Sequence, residues 1–88
     1  MKSKKQLGSI TLLVEDRQTH AKDMNQILSE AGHIIMARLG VNIQPLCLEH
    51  CTGLVVVVVT GTTKEINDLT KKLNELYGIV AKSSIVTR

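Results

Sequence analysis

The chain has 88 residues, 11 Lys and Arg against 8 Asp and Glu, and 43% hydrophobic residues. That is the size of one small compact domain, which buries only roughly 60–65% of the surface its unfolded chain exposes, and the apolar content excludes a disordered segment. The longest apolar runs, Gly53 to Val59 and Gly32 to Ala37, fall far short of the roughly 20 residues that span a bilayer, so no membrane helix is expected.

The start, Met1-Lys2-Ser3-Lys4-Lys5, imitates the basic end of a signal peptide. The apolar run that follows, Ile10 to Val14, is short and meets Glu15 and Asp16 without a small-residue cleavage site, which reads as a cytoplasmic chain whose residues 1–6 fray. Much of the net charge of +3 sits in Lys2, Lys4, Lys5 and Arg88 at the two ends. A stripe of Lys and Arg along one face is missing, so specific nucleic-acid binding is not expected.

Ser9 to Val14 is β-branched and Leu-rich and predicts a first strand, ending at Glu15-Asp16, where a short acid can cap a following helix. From Arg17 to Ala31 the apolar residues Ala21, Met24, Ile27, Leu28 and Ala31 fall three and four apart, on one helical stripe, and Gly32 supplies a left-handed stop. His33 to Ile43 reads as a second strand and Asn42 to Gly53 as a loop. Leu54 to Val59 is a third strand, because five successive valines stiffen the backbone against a helix. Thr62 and Glu65 form a capping box that opens a second helix with Ile66, Leu69, Leu73 and Leu76 on one stripe. Gly78 ends it, and Ile79 to Val86 is the last strand.

The order is βαββαβ, a ferredoxin-like α+β domain across residues 1–88. Right-handed crossovers place both helices on one face of a four-stranded antiparallel sheet. The other face is left bare, yet Val55 to Val59 is apolar on both sides, and Leu13 and Ile35 break alternation in their strands. A second copy is the simplest cover, which predicts a homo-oligomer, a dimer or tetramer; the alternative cover is the loop from Asn42 to Gly53.

Function has to be argued from sites, since this topology hosts many unrelated activities. The central strands lack the aromatic residues on which RNA-recognition domains stack bases. The turn after the first strand has Glu15-Asp16-Arg17 where copper chaperones carry two cysteines and acylphosphatases a glycine-rich anion loop. No nucleophile can be matched to a base, so no enzyme and no cofactor is expected. One cluster has metal-ligand chemistry: Cys47, His50 and Cys51, which with His20 or His33 can bind zinc, nickel or copper. Its spacing matches no zinc knuckle, and the alternative is a partly buried loop cysteine beside a surface histidine, with a Cys47–Cys51 disulfide the least expected outcome in a reducing compartment.

Ala37-Arg-Leu-Gly40, the run Leu54 to Leu73 with its Gly-Thr-Thr-x-Glu-Ile helix start, Gly78 to Ser84, and Val14-Glu-Asp-Arg17 together resemble the iron-only hydrogenase system regulator family over nearly the whole chain. The resemblance implies an ACT-like fold, similar to the ligand-sensing half of nickel-responsive repressors, and a regulatory, oligomerising module; the expected function is a non-catalytic regulatory module that assembles through its sheet and binds a small ligand or a protein partner. The loop Pro45 to Cys51 departs from the family pattern, and with the first strand starting within about ten residues of Met1 no ribbon-helix-helix arm is expected. The alternative function is a metal sensor or carrier built on Cys47, His50 and Cys51.

A ligand would be expected where the first strand hands over to the first helix, at Glu15, Asp16 and Arg17, with Arg38 and Gly40 of the second strand nearby. Arg38 is the sharpest candidate, because a guanidinium on an apolar strand needs a partner, and Gly40 in the same strand suggests a bulge or a close approach. The plainer reading is that Asp16 caps the helix and Arg17 pairs with a surface acid.

Overall fold

The structure is a computed structural model and describes residues 4–44 and 46–87. Its elements are β1 (Gln6–Val14), α1 (Arg17–Glu30), a short 3-10 turn (Gly32–Ile34), β2 (Ile35–Val41), β3 (Gly53–Gly61), α2 (Thr63–Asn74) and β4 (Ile79–Ile85). The strands form one sheet in the order β2-β3-β1-β4, and every neighbouring pair is antiparallel. This is the expected ferredoxin-like βαββαβ fold. Of the segment expected to fray, residues 1–3 lie outside the described residues, and β1 begins at Gln6.

Strand registry decides which side chains meet the helices. Ile10 lies opposite Val57 and Leu12 opposite both Val55 and Ala81, so these residues share one face. That face carries the core: Ile10, Leu12, Val14, Val55, Val57, Val59, Ile79 and Ala81 are buried against Met24 and Leu28 of α1 and Ile66, Leu69 and Leu73 of α2. The opposite face shows Leu13, Leu54, Val56 and Val58, all half-buried, with Leu39 at 62% and Val80 at 46% exposure. The strict buried and half-buried alternation of β3 is hidden in its sequence, where five successive residues are valine.

The ends of the helices follow local chemistry. Thr62 is extended (φ −69°, ψ 158°) and its hydroxyl accepts the Glu65 amide, while the Glu65 carboxylate accepts the Thr62 amide, completing the anticipated capping box. α2 does not run to Gly78 as expected: it ends at Asn74 with Glu75 as its C-cap, and Gly78 (φ +80°, a conformation costly for any other residue) turns the chain into β4, where a Cβ would lie 2.6 Å from the His20 ring. Gly32 behaves differently from expectation. Ala31 ends α1 at φ −97°, and Gly32 opens the 3-10 turn that drops Ile34 into the core. That turn delays β2 until Ile35. Asn74 bonds both ways with the Ala81 backbone, at 2.8 and 2.7 Å, and ties the end of α2 to β4.

Thr62→Ala should lower stability by about 1 kcal/mol by uncapping α2. The check is the urea midpoint at constant slope; an unchanged midpoint would show that the box contributes nothing.

Candidate functional site

β2 is an edge strand that buries none of its seven residues, and α1 buries only Met24 and Leu28. The helix therefore covers the sheet incompletely on this side. A cleft of about 310 Å³ opens between α1 and the β2–β3 pair. Its walls are Arg17, Ala21 and Met24 from α1, Arg38 and Gly40 from β2, and Gly53 and Val55 from β3. Small residues make the room: a Cβ at Gly40 would meet nothing within 4 Å.

Registry explains why Arg38 and Gly40 face the helices. They lie opposite Val57 and Val55, both inner-face residues. The β2 irregularity falls between Ile35 and Ala37, so Gly40 is not at a bulge, contrary to expectation, and no atom of this chain beyond its sequence neighbours lies within 4 Å of where its Cβ would be. Arg38 is exposed and donates through Nη2 to the Asn25 side-chain oxygen, bridging β2 to α1. Among the described residues the ion pairs are His33–Glu65, His50–Asp16 and Lys64–Asp68, so neither Arg17 nor Arg38 meets a carboxylate. Two arginines and the apolar Val14, Met24 and Val55 line one opening.

Three of the five anticipated residues, Arg17, Arg38 and Gly40, thus line one cleft, while Glu15 and Asp16 lie outside its lining. The Glu15 amide donates to the Gly78 carbonyl at 2.8 Å. Asp16 occupies the N-cap position of α1 in the left-handed region (φ 47°, ψ 62°), and its side chain makes no capping bond. Its carboxylate instead accepts from Thr19 Oγ1 at 3.1 Å and lies 3.1 Å from His50 Nδ1. Turning the chain at Asp16 aims the carboxylate at the long loop rather than at the helix amides. His20, named on sequence as a candidate further metal ligand, packs edge-on to Tyr77 with ring centroids 5.5 Å apart.

The loop between β2 and β3 docks at the start of α1. Cys51 is 1% exposed and is joined to Cys47 in a disulfide, with Cα atoms 5.7 Å apart, within the usual span of such a bond. The least expected state of this pair is therefore the one found. The Arg17 amide donates to the Cys51 carbonyl at 2.8 Å, and the Cys51 amide donates to Gln18 Oε1 at 3.3 Å. With both sulfurs joined, Cys47, His50 and Cys51 present no thiolate pair. Among the described residues no group of three or more His, Cys, Asp or Glu is placed to hold a metal ion. The loop does not cover the outer sheet face either, since Leu46 and Leu48 are 92% and 91% exposed. Asn25 and Gln18, which secure Arg38 and the loop, carry no sequence signal; both are ordinary polar positions on a helix.

The bond from His50, ahead of that from Thr19, holds the Asp16 carboxyl below its ordinary 3.8. A carboxylate with a depressed native pKa stabilises the fold above its unfolded value, and that contribution disappears as pH falls through the native one. Asp16→Asn should flatten the part of the acid unfolding profile that lies below pH 3.8 and leave the profile above pH 5 parallel to the parent. Identical acid limbs in the two proteins would show that the contact has no energetic weight.

Comparison with curated proteins finds no match. A solved structure of uncharacterized protein TM1266 from Thermotoga maritima superposes with a TM-score of 0.84 at 21% identity, covering 96% of this chain and 100% of that one. A nitrogen regulatory PII-like protein, CPII from Thiomonas intermedia K12, solved with ADP, AMP and bicarbonate, gives 0.52 at 14% identity, covering 99% of this chain and 100% of that one. The same protein with ADP, AMP and acetate gives 0.50 at 15% identity, covering 97% of this chain and 93% of that one. At these identities the likeness shows the fold. Residues 6–83 match the sequence family described as "TM1266-like: Iron-only hydrogenase system regulator, putative", and the chain belongs to that family.

Proposed function

We propose that this chain is a non-catalytic regulatory module that takes a small organic anion with an apolar flank in the cleft between α1 and β2–β3, and that it assembles with further copies through the outer face of its sheet. The observation that carries the ligand class is the convergence of Arg17 and Arg38 on one apolar-lined cleft with no carboxylate paired to either among the described residues. A guanidinium on apolar surface gains most from a planar anion that can accept two of its hydrogens. The size of the opening, about 310 Å³, suits a ligand at the small end of the usual range. The regulator family supports the regulatory role. The PII-like CPII, which shares the fold, was solved with nucleotides and with bicarbonate or acetate, and those anions head the list to test.

Thermal shift followed by calorimetry with AMP, ADP, bicarbonate, acetate and branched 2-oxo acids should find at least one stabilising anion. Arg38→Met should weaken it at least about tenfold, the scale of a charged hydrogen bond, while leaving the unliganded melting temperature within about 2 °C of the parent because Arg38 is exposed. No stabilising anion, or equal affinity in Arg38→Met, would sink the cleft assignment.

Assembly through the outer face rests on Leu13, Leu39, Leu54, Val56, Val58 and Val80, which the two helices leave uncovered. Val56 sits near the middle of this patch, opposite Leu39 and Thr11. Val56→Asp should yield a folded monomer by light scattering at micromolar concentration, against an oligomer for the parent. A monomeric parent with native circular dichroism would overturn assembly through this face.

A further inference from the structure

The wall of the cleft that carries Arg17 is tied to a covalent ring. Arg17 opens α1, and its amide, one of the helix's unsatisfied first donors, is taken by the carbonyl of Cys51 at 2.8 Å. Gln18 accepts the amide of the same cysteine, and Asp16 meets His50 one position before it. Three consecutive residues at the start of α1 therefore grip two consecutive residues of the loop. The grip depends on the backbone course from Cys47 to Cys51, which includes a left-handed His50 (φ 53°), a strained conformation for a residue with a side chain. The Cys47–Cys51 disulfide closes that segment on itself. Two residues further on, Gly53 begins β3 and lines the cleft, where a Cβ would lie 3.4 Å from Cδ of Arg17.

We infer that the Cys47–Cys51 pair is a redox latch on the cleft: oxidised, it fixes the loop against the first turn of α1 and holds the Arg17 wall in place, and reduced, it lets that wall loosen and weakens anion binding. The reductant class is a dithiol. Its thiolate attacks Sγ of Cys47, the half-buried partner, because Cys51 is almost wholly covered. The Cys47–Cys51 bond breaks, a mixed disulfide forms on Cys47, and Cys51 leaves as a thiolate that takes a proton. The second thiol of the reductant then displaces Cys47 and becomes half of the reductant's own disulfide. Two electrons and two protons have moved to the protein, and a disulfide oxidant reverses the exchange.

The regulatory meaning rests on the cleft reading above, and the test separates the two. Amide hydrogen exchange is measured on full-length protein in oxidised form, after reduction with dithiothreitol, and in Cys47→Ser, which leaves the buried Cys51 in place. Protection of the Arg17 amide should fall by about tenfold in both the reduced protein and Cys47→Ser, the order that closing so short a ring supplies, while the β1 and β3 amides stay protected. Equal Arg17 protection in oxidised and reduced protein would overturn the latch, as would a purified protein that keeps two free thiols under oxidised glutathione. If bicarbonate or AMP binds the oxidised form, its Kd should rise several-fold on reduction, and an unchanged Kd would also overturn the latch. Failure of every anion to bind the oxidised form counts against the cleft reading, and the exchange result then decides the latch by itself.

Discussion

Pairing of β3 between β1 and β2 is the constraint on which the rest of the molecule hangs. With Ile10 set against Val57, every odd-numbered valine of β3 meets the helices and every even-numbered residue faces away. A slip of one residue would exchange the two sets and move Val55, Val57 and Val59 out of the core. Nothing in the valine run itself prevents that slip, since both sets are apolar. The register is held instead by neighbours whose two faces differ: in β1, Ile10 and Leu12 alternate with Ser9 and Thr11.

The same geometry leaves two surfaces uncovered, for different reasons. The outer face is bare because two crossover helices lie on one side of the sheet, and its apolar part runs diagonally from Leu39 on β2 through Val56 and Leu54 to Leu13 and Val80, bordered by Ser9, Thr11 and Lys82. The cleft on the inner face is open because α1 is the weaker of the two helices in its grip on the sheet. α2 buries three residues in twelve and is tied to β4 by Asn74, whereas α1 buries two in fourteen. What α1 lacks in packing it recovers in polar ties, to β2 through Arg38 and Asn25 and to the loop through Asp16, Arg17 and Gln18. Polar ties near water are each worth little and are easily exchanged, so α1 is held more loosely than α2.

The loop illustrates how a local chemical question is settled by distant structure. Cys47 and Cys51 stand four residues apart, a spacing compatible with free thiols, metal ligation or a disulfide. The loop's docking at the start of α1 buries Cys51 and turns His50 toward Asp16, so the imidazole that would have completed a metal set is engaged with a carboxylate.

Element order, the capping box at Thr62, the left-handed turn at Gly78 and the excess of apolar strand residues over what two helices can cover are all determined by local sequence, because each depends on spacing or on one residue's backbone preference. Family membership is legible for the same reason, in runs of contiguous residues. Only tertiary structure decided that Arg38 and Gly40 face α1, since an edge strand of mixed polarity carries no mark of which side is inner until β3 fixes its register. It also decided that Arg17 shares their cleft while Glu15 and Asp16, its immediate neighbours, do not. A left-handed turn at Asp16 sends successive side chains in different directions, and the partners that select that turn, His50 and the Cys51 carbonyl, come from a loop more than thirty residues away.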